Sequence, residues 1–532
     1  MRAMSQSGSA AGAPRARGGG SRPWVVVLAA CAGQFLAVLD VSVVNVALPS
    51  MRTGLGMDEA GLQWVVNLYT LTFSGFMLLG GRAADLFGRK RVFVAGLGLF
   101  TAASLAGGLA QAPWQLLLAR AAQGVGSAVL SPATLTLLTL TFPHGRARTR
   151  AIGVWTAVGA GGGAVGGLLG GILTDALSWR WVLLINGPVG GVVLLAALLW
   201  LVESRPEPDS DGAAVAAGRR LDVPGALLVT LGLGAVAYGV VRTEGLGWTA
   251  PAALAPLGAG LALVGCFLAV ESRAVAPLMP LRLFRLRSVW AANLCMFVCG
   301  AALFSMWYFM SLYMQNVLGY SAIQAGLGFL PHSLSVILGS QLAPRLMHRI
   351  DAKFPAVAGA AVSGCGFLWQ SAMRADGGYL DTMLGPGVLM AFGTGMASTP
   401  LAAVATAGAA PREAGLVSGL VNTARTMGGA LGLAVLSTVA SARTGTGTSG
   451  AALTAGYGAA FRTAALVLFG CVILMLVVLP RTHGAVERSH PPGERAEPGQ
   501  RDERDQHDPQ DPEDTARVDT RDPPPGGGPR TP

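Results

Sequence analysis

Long apolar segments alternate with short polar ones along most of the chain. Fourteen segments stay apolar over about 20 residues, the length that a helix needs to cross a membrane. A barrel would show alternating strands of about ten residues instead, so the pattern predicts an all-α polytopic membrane protein. The predicted helices run approximately over 24–48, 62–81, 92–110, 114–140, 151–173, 181–201, 223–241, 251–270, 288–314, 321–343, 354–373, 382–407, 414–440 and 460–480.

Composition agrees with this architecture. Of 532 residues, 52% are hydrophobic and only 12% are charged, against about 25% in soluble domains. The tails 1–23 and 481–532 are rich in Gly, Ser and Arg or in Pro and charge, so we expect both to be disordered. The six cysteines lie within apolar segments without His or carboxylate neighbours, so neither a metal site nor a cofactor is predicted.

The basic residues predict the orientation of the helices. With the N-terminus in the cytoplasm, the inner segments hold 22 Arg and Lys and the outer segments hold 6. Cytoplasmic loops carry this excess, so we expect a plasma-membrane protein with both termini cytoplasmic. The net charge of +10 therefore reflects topology and does not indicate a nucleic-acid partner.

One acid lies where hydrocarbon is expected. The segment LDVSVVNVALP, 39–49, carries Asp40, the only carboxylate well inside a predicted span. A charge at that depth costs about 2.5–3.5 kcal/mol, and such residues usually serve transport or proton relay. Arg120 and Arg425 are basic residues within spans, and His332 is the only histidine that can lie in one.

The loop between the second and third helices has an ordered motif, GRAADLFGRKR, 81–91. Glycines at both ends permit a tight turn, and the acid can pair with the arginine four residues later. The spacing G-x-x-x-D-x-x-G-R-K resembles the signature of the major facilitator superfamily at this position. The resemblance implies a conformational latch made by Gly81, Asp85, Gly88, Arg89, Lys90 and Arg91.

Further motifs resemble the fourteen-helix drug:proton antiporter branch of that superfamily. They are LDVSVVNVALP, LQWVVNLYTL (62–71), LLLARAAQGVGSA (116–128) and WRWVLLINGPVG (179–190). The fifth helix resembles the antiporter motif through Gly162, Gly166, Gly170 and Gly171. Gly167 stands where that motif normally has proline, which leaves the direction of exchange less determined.

The resemblance implies the major facilitator fold, two six-helix bundles with two central helices inserted between them. The predicted bundles are 24–201 and 288–480, with a cytoplasmic linker at 202–222 and the inserted pair at 223–270. The segment GSQLAPRLMHRI, 339–350, looks like a degraded copy of the 81–91 motif and supports the internal symmetry.

Asp40 and Arg120 are the predicted proton-coupling residues. A buried carboxylate can load and release a proton as water access alternates, and the motif arginine is thought to assist in the family. Two alternatives remain open at this stage. Asp40 could pair with Arg120 only to lock two helices together, or it could contact the substrate alone.

Aromatic and polar residues in the spans could line an amphipathic substrate cavity. The candidates are Asn45, Trp64, Asn67, Gln123, Phe304, Trp307, Tyr308, Tyr313, Gln315, Gln324, His332, Asn422 and Arg425. No second acid lies well inside the later helices, which favours neutral, monocationic or zwitterionic substrates.

These features predict a proton-coupled exporter of amphipathic small molecules such as drugs or antibiotics, monomeric in the lipid bilayer. A proton symporter for uptake of a small metabolite would share the fold and Asp40. An enzyme would need a second acid, a nucleophile or a metal cluster in the spans, and none is visible. A receptor or scaffold would not need an intramembrane acid and arginine.

Overall fold

The computed structural model describes residues 23–142, 145–203, 222–247, 249–274, 277–409, 413–445 and 447–481. These residues contain helices in all fourteen predicted intervals and no strand. Residues 1–22, most of the predicted linker and the tail from 482 lie outside the described ranges. The helices are α1 (Pro23–Leu55), α2 (Glu59–Phe87), α3 (Arg89–Gly108), α4 (Pro113–Thr141), α5 (Gly145–Ala176), α6 (Trp181–Trp200), α7 (Val223–Leu246), α8 (Pro251–Arg273), α9 (Arg287–Asn316), α10 (Ala322–Met347), α11 (Lys353–Gln370), α12 (Leu380–Ala407), α13 (Ala414–Thr444) and α14 (Gly450–Val478).

Twelve of these helices are long and apolar enough to cross a membrane. The other two are α11, which has Lys353 and Gln370 at its ends, and α13, which carries Asn422 and Arg425. Both pack among membrane-length helices, so the structure is compatible with fourteen spans, while the exact number stays a prediction. The all-helical membrane architecture is confirmed.

Several helix boundaries differ from the predicted ones. The last helix begins at Gly450, ten residues before the predicted start, so Arg462 lies well inside the helix and not near its beginning. Helix α10 is interrupted at Phe329, between Ala322–Gly328 and Leu330–Met347. Pro331 has no N–H to donate to the preceding turn, which explains the break.

Helices α1 to α6 pack chiefly against one another, and α9 to α14 do the same. Contacts between the two sets run through α2 with α13, α5 with α10, and α1 with α9. Helix α7 packs against both α2 and α13, and α8 packs on α7. The inserted pair therefore lies beside the seam between the two sets, while the domain boundaries themselves remain a prediction.

Small residues let these helices approach closely. A Cβ atom at Gly124 would lie 2.4 Å from the carbonyl oxygen of Tyr69, and one at Gly428 would lie 1.9 Å from that of Phe297. Backbone contact of this kind is typical of membrane helix pairs, where packing replaces the hydrophobic effect as the attraction. The close approach at Gly124 brings α4 against α2, and so positions the polar residues described next.

Candidate transport site

Asp40 and Arg120 form an ion pair inside the first set of helices. The Nη1 atom of Arg120 lies 2.5 Å from Oδ2 of Asp40, and each residue is only 1% exposed. Asp40 is contributed by α1 and Arg120 by α4. The two charges offset each other, which explains how both are tolerated at this depth.

Two amides hold the other oxygen of Asp40. Gln123 donates from Nε2 to Oδ1 at 3.0 Å, and Asn186 donates from Nδ2 to the same atom at 3.2 Å. Both amides also donate to Oγ of Ser104, at 2.5 and 3.2 Å respectively. The Asp40 carboxylate therefore accepts hydrogen bonds from α4 and α6, and Ser104 of α3 accepts from the same two amides.

Arg120 is positioned from α2. Its Nε donates to the carbonyl oxygen of Val65 at 3.0 Å, and its Cζ lies 4.4 Å from the ring centroid of Tyr69. Nη1 also donates to Oε1 of Gln123 at 3.0 Å, which fixes the orientation of that amide. The Tyr69 hydroxyl donates to Oγ of Ser127 at 2.9 Å. The Tyr69 ring thus contacts the face of the guanidinium, the Val65 carbonyl accepts from its Nε, and Asp40 pairs with its charge.

This group joins five helices around one titratable carboxylate. We call Asp40, Tyr69, Ser104, Arg120, Gln123 and Asn186 the acid network; each is at most 3% exposed. Every member is sealed from solvent, so the carboxylate of Asp40 is reached only through the other members of the network.

Sequence reasoning identified three members, Asp40, Arg120 and Gln123, and missed the rest. Tyr69 and Asn186 lie within LQWVVNLYTL and WRWVLLINGPVG, two segments that carried the family resemblance. Their presence in those motifs was the available signal. Ser104 had none, because a serine in an apolar helix is common and its partners are distant in the chain.

Arg425 lies apart from the acid network. Its Nη2 donates to Oδ1 of Asn422 at 2.6 Å, and the Nδ2 of Asn422 lies 3.1 Å from the sulfur of Met77 on α2. Met77 follows Val65 by twelve residues, or about 18 Å along α2. The two sites therefore contact α2 at different depths.

Arg425 has no carboxylate within ion-pair distance among the described residues. It lies eleven residues into α13, about 16 Å from the start of that helix. Its side chain is half-buried. Its guanidinium therefore keeps some accessible surface and has no acid partner among the described residues.

The other cavity candidates are dispersed. Trp307 packs against Phe329 with tilted rings whose centroids are 4.8 Å apart, and the rings of Phe309 and Tyr308 meet edge to face. Trp64 packs with Tyr238 of the inserted pair, and the Tyr313 hydroxyl donates to the carbonyl of Arg374 at 2.5 Å. Gln324 completes a capping box at the start of α10. Asn67 and His332 are fully buried, and the Asn67 amide has no hydrogen-bond partner among the described residues. Phe304 lies against Gly429 of α13.

Several hydrogen bonds between the two sets of helices lie at one end of the molecule. Asp175, in the last turn of α5, accepts from the backbone N–H groups of Ala322 and Ile323 at 3.3 and 3.0 Å. Ser311 donates to the carbonyl oxygen of Asn45 at 2.8 Å, and Gln315 donates to a neighbouring carbonyl at 3.0 Å. In the predicted orientation this is the outer end.

The antiporter-motif glycines face two different partners. Gly162, Gly166 and Gly170 lie against α1, where added Cβ atoms would come within 2.6–3.2 Å of α1 atoms. Gly171 lies against α10, and its Cβ would be 2.4 Å from the carbonyl oxygen of Ala322. A Cβ atom added at Gly167 would be 3.5 Å from its nearest neighbour, which is an ordinary contact distance. Gly171 is therefore the glycine that permits the tightest contact with the second set of helices.

The 81–91 loop is tied to the end of α6. Gly88 joins α2 to α3 with φ +98°, and an added Cβ would meet Oε1 of Glu203 at 2.5 Å. Glu203 also accepts from the backbone N–H of Lys90 at 3.2 Å and lies 3.6 Å from Nε of Arg91. The side chain of Asp85 lies outside the described residues, and Arg89 is largely buried. Glu203 is a partner that sequence reasoning did not identify.

The chain is similar to known proteins over most of its length. A family model described as Major Facilitator Superfamily matches residues 30–433. The chain is 48% identical to the cephamycin export protein CmcT of Amycolatopsis lactamdurans, over 87% of this chain and 93% of that protein. It is 39% identical to the puromycin resistance protein pur8 of Streptomyces alboniger, over 86% and 90% of the two chains.

Among solved structures, the fold is similar to that of a bacterial homologue of the human lysosomal transporter Spinster. The TM-score is 0.61 at 17% identity, covering 86% of this chain and 97% of that one. At this identity the likeness concerns the fold alone.

Proposed function

The chain belongs to the major facilitator superfamily, and from that premise we propose that it exports antibiotic-like small molecules across the plasma membrane in exchange for protons. It is a multi-pass membrane transporter and not an enzyme. The export of amphipathic antibiotics is supported by two relatives, a cephamycin export protein and a puromycin resistance protein. Proton coupling is supported by the acid network.

The observation that carries the proposal is the sealed ion pair of Asp40 and Arg120. The two amides satisfy the remaining lone pairs of the carboxylate, as any buried ion pair requires, so the number of helices that meet at the pair carries the argument. Here α1, α2, α3, α4 and α6 all contribute a contact, so a change in packing of the first set of helices changes the surroundings of Asp40. That arrangement can couple protonation to alternating access. Proton symport remains the second candidate, because the same network would serve it.

Arg425 supports a refinement of the substrate class. An accessible guanidinium without an acid partner in the described protein favours a ligand that brings its own negative charge. We therefore propose substrates that carry a carboxylate or similar acidic group, zwitterions among them. In the predicted topology Arg425 lies nearer the inner ends of α2 and α13 than the acid network does, which suits loading from the cytoplasm.

Closure of the outer end is proposed to depend on Gly171. We expect G171A to reduce transport about tenfold, because the new methyl group would push α10 away from α5. G167A is the matched control, since its methyl group meets only ordinary contacts at 3.5 Å. The measurement is substrate efflux together with thiol labelling of a cysteine placed near Ser321. Equal transport and equal labelling in the two variants would remove Gly171 from the gate.

The 81–91 loop is proposed to act as a latch through its contact with Glu203. We expect G88A to slow transport severalfold, because alanine is strained at a φ of +98° and its Cβ would strike the Glu203 carboxylate. G81A serves as the control in the same motif, since its nearest neighbour, Pro132, is 3.7 Å away. The measurement is the transport rate of each variant at equal abundance in the membrane. A G88A protein as fast as G81A would argue against the latch.

A further inference from the structure

Three arginines from separate segments line one cavity of about 350 Å³ at an end of the second set of helices. Arg374 follows α11, Arg443 lies in the last turn of α13, and Arg462 is on α14. In the predicted topology these are three of only six basic residues on the outer side. Basic residues are scarce on that side of membrane proteins, so their convergence needs a cause.

The charge of this cavity is not balanced by the described protein. Arg374 lies 3.3 Å from a carboxylate oxygen of Asp381 and 3.7 Å from one of Asp376. Arg443 and Arg462 have no carboxylate within ion-pair distance among the described residues. Two guanidinium groups that share a cavity repel each other unless an anion lies between them.

An apolar stripe leads away from the cavity along α14. Arg462 is exposed, and so are Leu466, Ile473 and Val477 at 65, 63 and 67%. The spacings of four, seven and four residues place them on one face of the helix. Large apolar side chains this exposed on a membrane helix contact lipid acyl chains, so Arg462 lies at the end of a lipid-facing surface.

The depth of Arg462 fits a lipid headgroup. Residues 463–480 contain no charged side chain. Arg462 is sixteen residues, or about 24 Å, from the end of α14 at Val478, and the hydrocarbon core of a bilayer is about 30 Å thick. Arg462 therefore lies near the boundary where the phosphates of one leaflet are found.

We propose that this cavity binds the phosphate of an anionic phospholipid, with the acyl chains lying along the exposed stripe of α14. The planar guanidinium forms paired hydrogen bonds with phosphate oxygens, so Arg443 and Arg462 would grip the headgroup between them. The lipid would join α13 to α14 next to the loop that carries Arg374. This inference does not depend on what the protein transports.

The test uses the purified full-length protein in detergent. Native mass spectrometry counts bound lipid, and thermal unfolding is followed with added phosphatidylglycerol, phosphatidylcholine or soluble glycerol phosphate. We expect phosphatidylglycerol to stay bound and to raise the unfolding temperature more than the other two. The double variant R443Q/R462Q should bind phosphatidylglycerol on the order of tenfold more weakly.

The controls separate this site from general charge effects. R242Q removes another outer arginine, one that lies over the ring of Tyr238, and should keep the lipid preference. R443K/R462K should keep part of it, and R462Q alone replaces the double variant if that protein does not fold. Equal phosphatidylglycerol binding by R443Q/R462Q and R242Q would overturn the proposal. So would a soluble phosphate that matches the lipid, because the site would then bind free anions.

Discussion

Asp40→Asn is expected to lower proton-driven efflux by about 100-fold or more, the size of effect typical for loss of a positioned proton-transfer group. Asparagine preserves the size of the side chain but cannot exchange a proton. The measurement is substrate uptake into everted vesicles with an imposed pH gradient. Exchange of labelled for unlabelled substrate without a gradient should persist, because it needs no net proton movement.

A second variant distinguishes proton coupling from a structural ion pair. Asp40→Asn leaves Arg120 buried without its partner, which can itself cost about 3–5 kcal/mol of stability. The double variant D40N/R120Q removes both charges and so relieves that cost. If the pair is purely structural, the double variant should recover proton-driven efflux. Recovery of thermal stability without recovery of efflux is the result that proton coupling predicts.

Reversal of the pH gradient in the same vesicles separates the two transport directions. An antiporter moves substrate against the direction of the protons, and a symporter moves it with them. The unsubstituted protein should therefore accumulate substrate in everted vesicles that are acid inside. Accumulation only when the outside is acid would favour symport and contradict export.

Arg425→Gln is expected to reduce transport of acid-bearing substrates about 10- to 100-fold, the range that corresponds to one lost charge-assisted hydrogen bond. Cefoxitin, which carries a carboxylate, and puromycin, which carries an amine and no carboxylate, are suitable probes. Resistance and vesicle uptake should fall for the first and change little for the second. R425K keeps the charge but loses the planar fork, so its effect should be intermediate.

The neighbouring amide provides an independent check on Arg425. Asn422→Asp would place a carboxylate beside the guanidinium, since the two side chains already meet at 2.6 Å. An internal ion pair there should compete with the carboxylate of cefoxitin, although Arg425 itself is unchanged. If R425Q and N422D both leave cefoxitin transport intact, substrates are not selected through this arginine, while the Asp40 experiments still decide whether the chain is a proton-coupled exporter.

The sequence by itself determined the class of protein. Hydropathy is a sum over neighbouring residues, so a run of about 20 apolar residues favours a membrane helix whatever that helix packs against. The same local logic singled out Asp40 and Arg120, because each charge stands out against its own flanking residues. Motif spacing then indicated the superfamily, which the family match over residues 30–433 confirmed.

The tertiary structure decided which of those residues meet. Asp40 and Arg120 are 80 positions apart in the chain, and Asn186 is 146 positions from Asp40. Their contact depends on how α1, α4 and α6 pack, and packing depends on shape at many distant positions at once. For the same reason local pattern could not predict the contact of Gly88 with Glu203 or the cavity that Arg443 and Arg462 share. Nor could it predict that Arg425 has no acid partner among the described residues. Hydropathy can be read from one segment alone, whereas a site depends on the distances between residues of different segments.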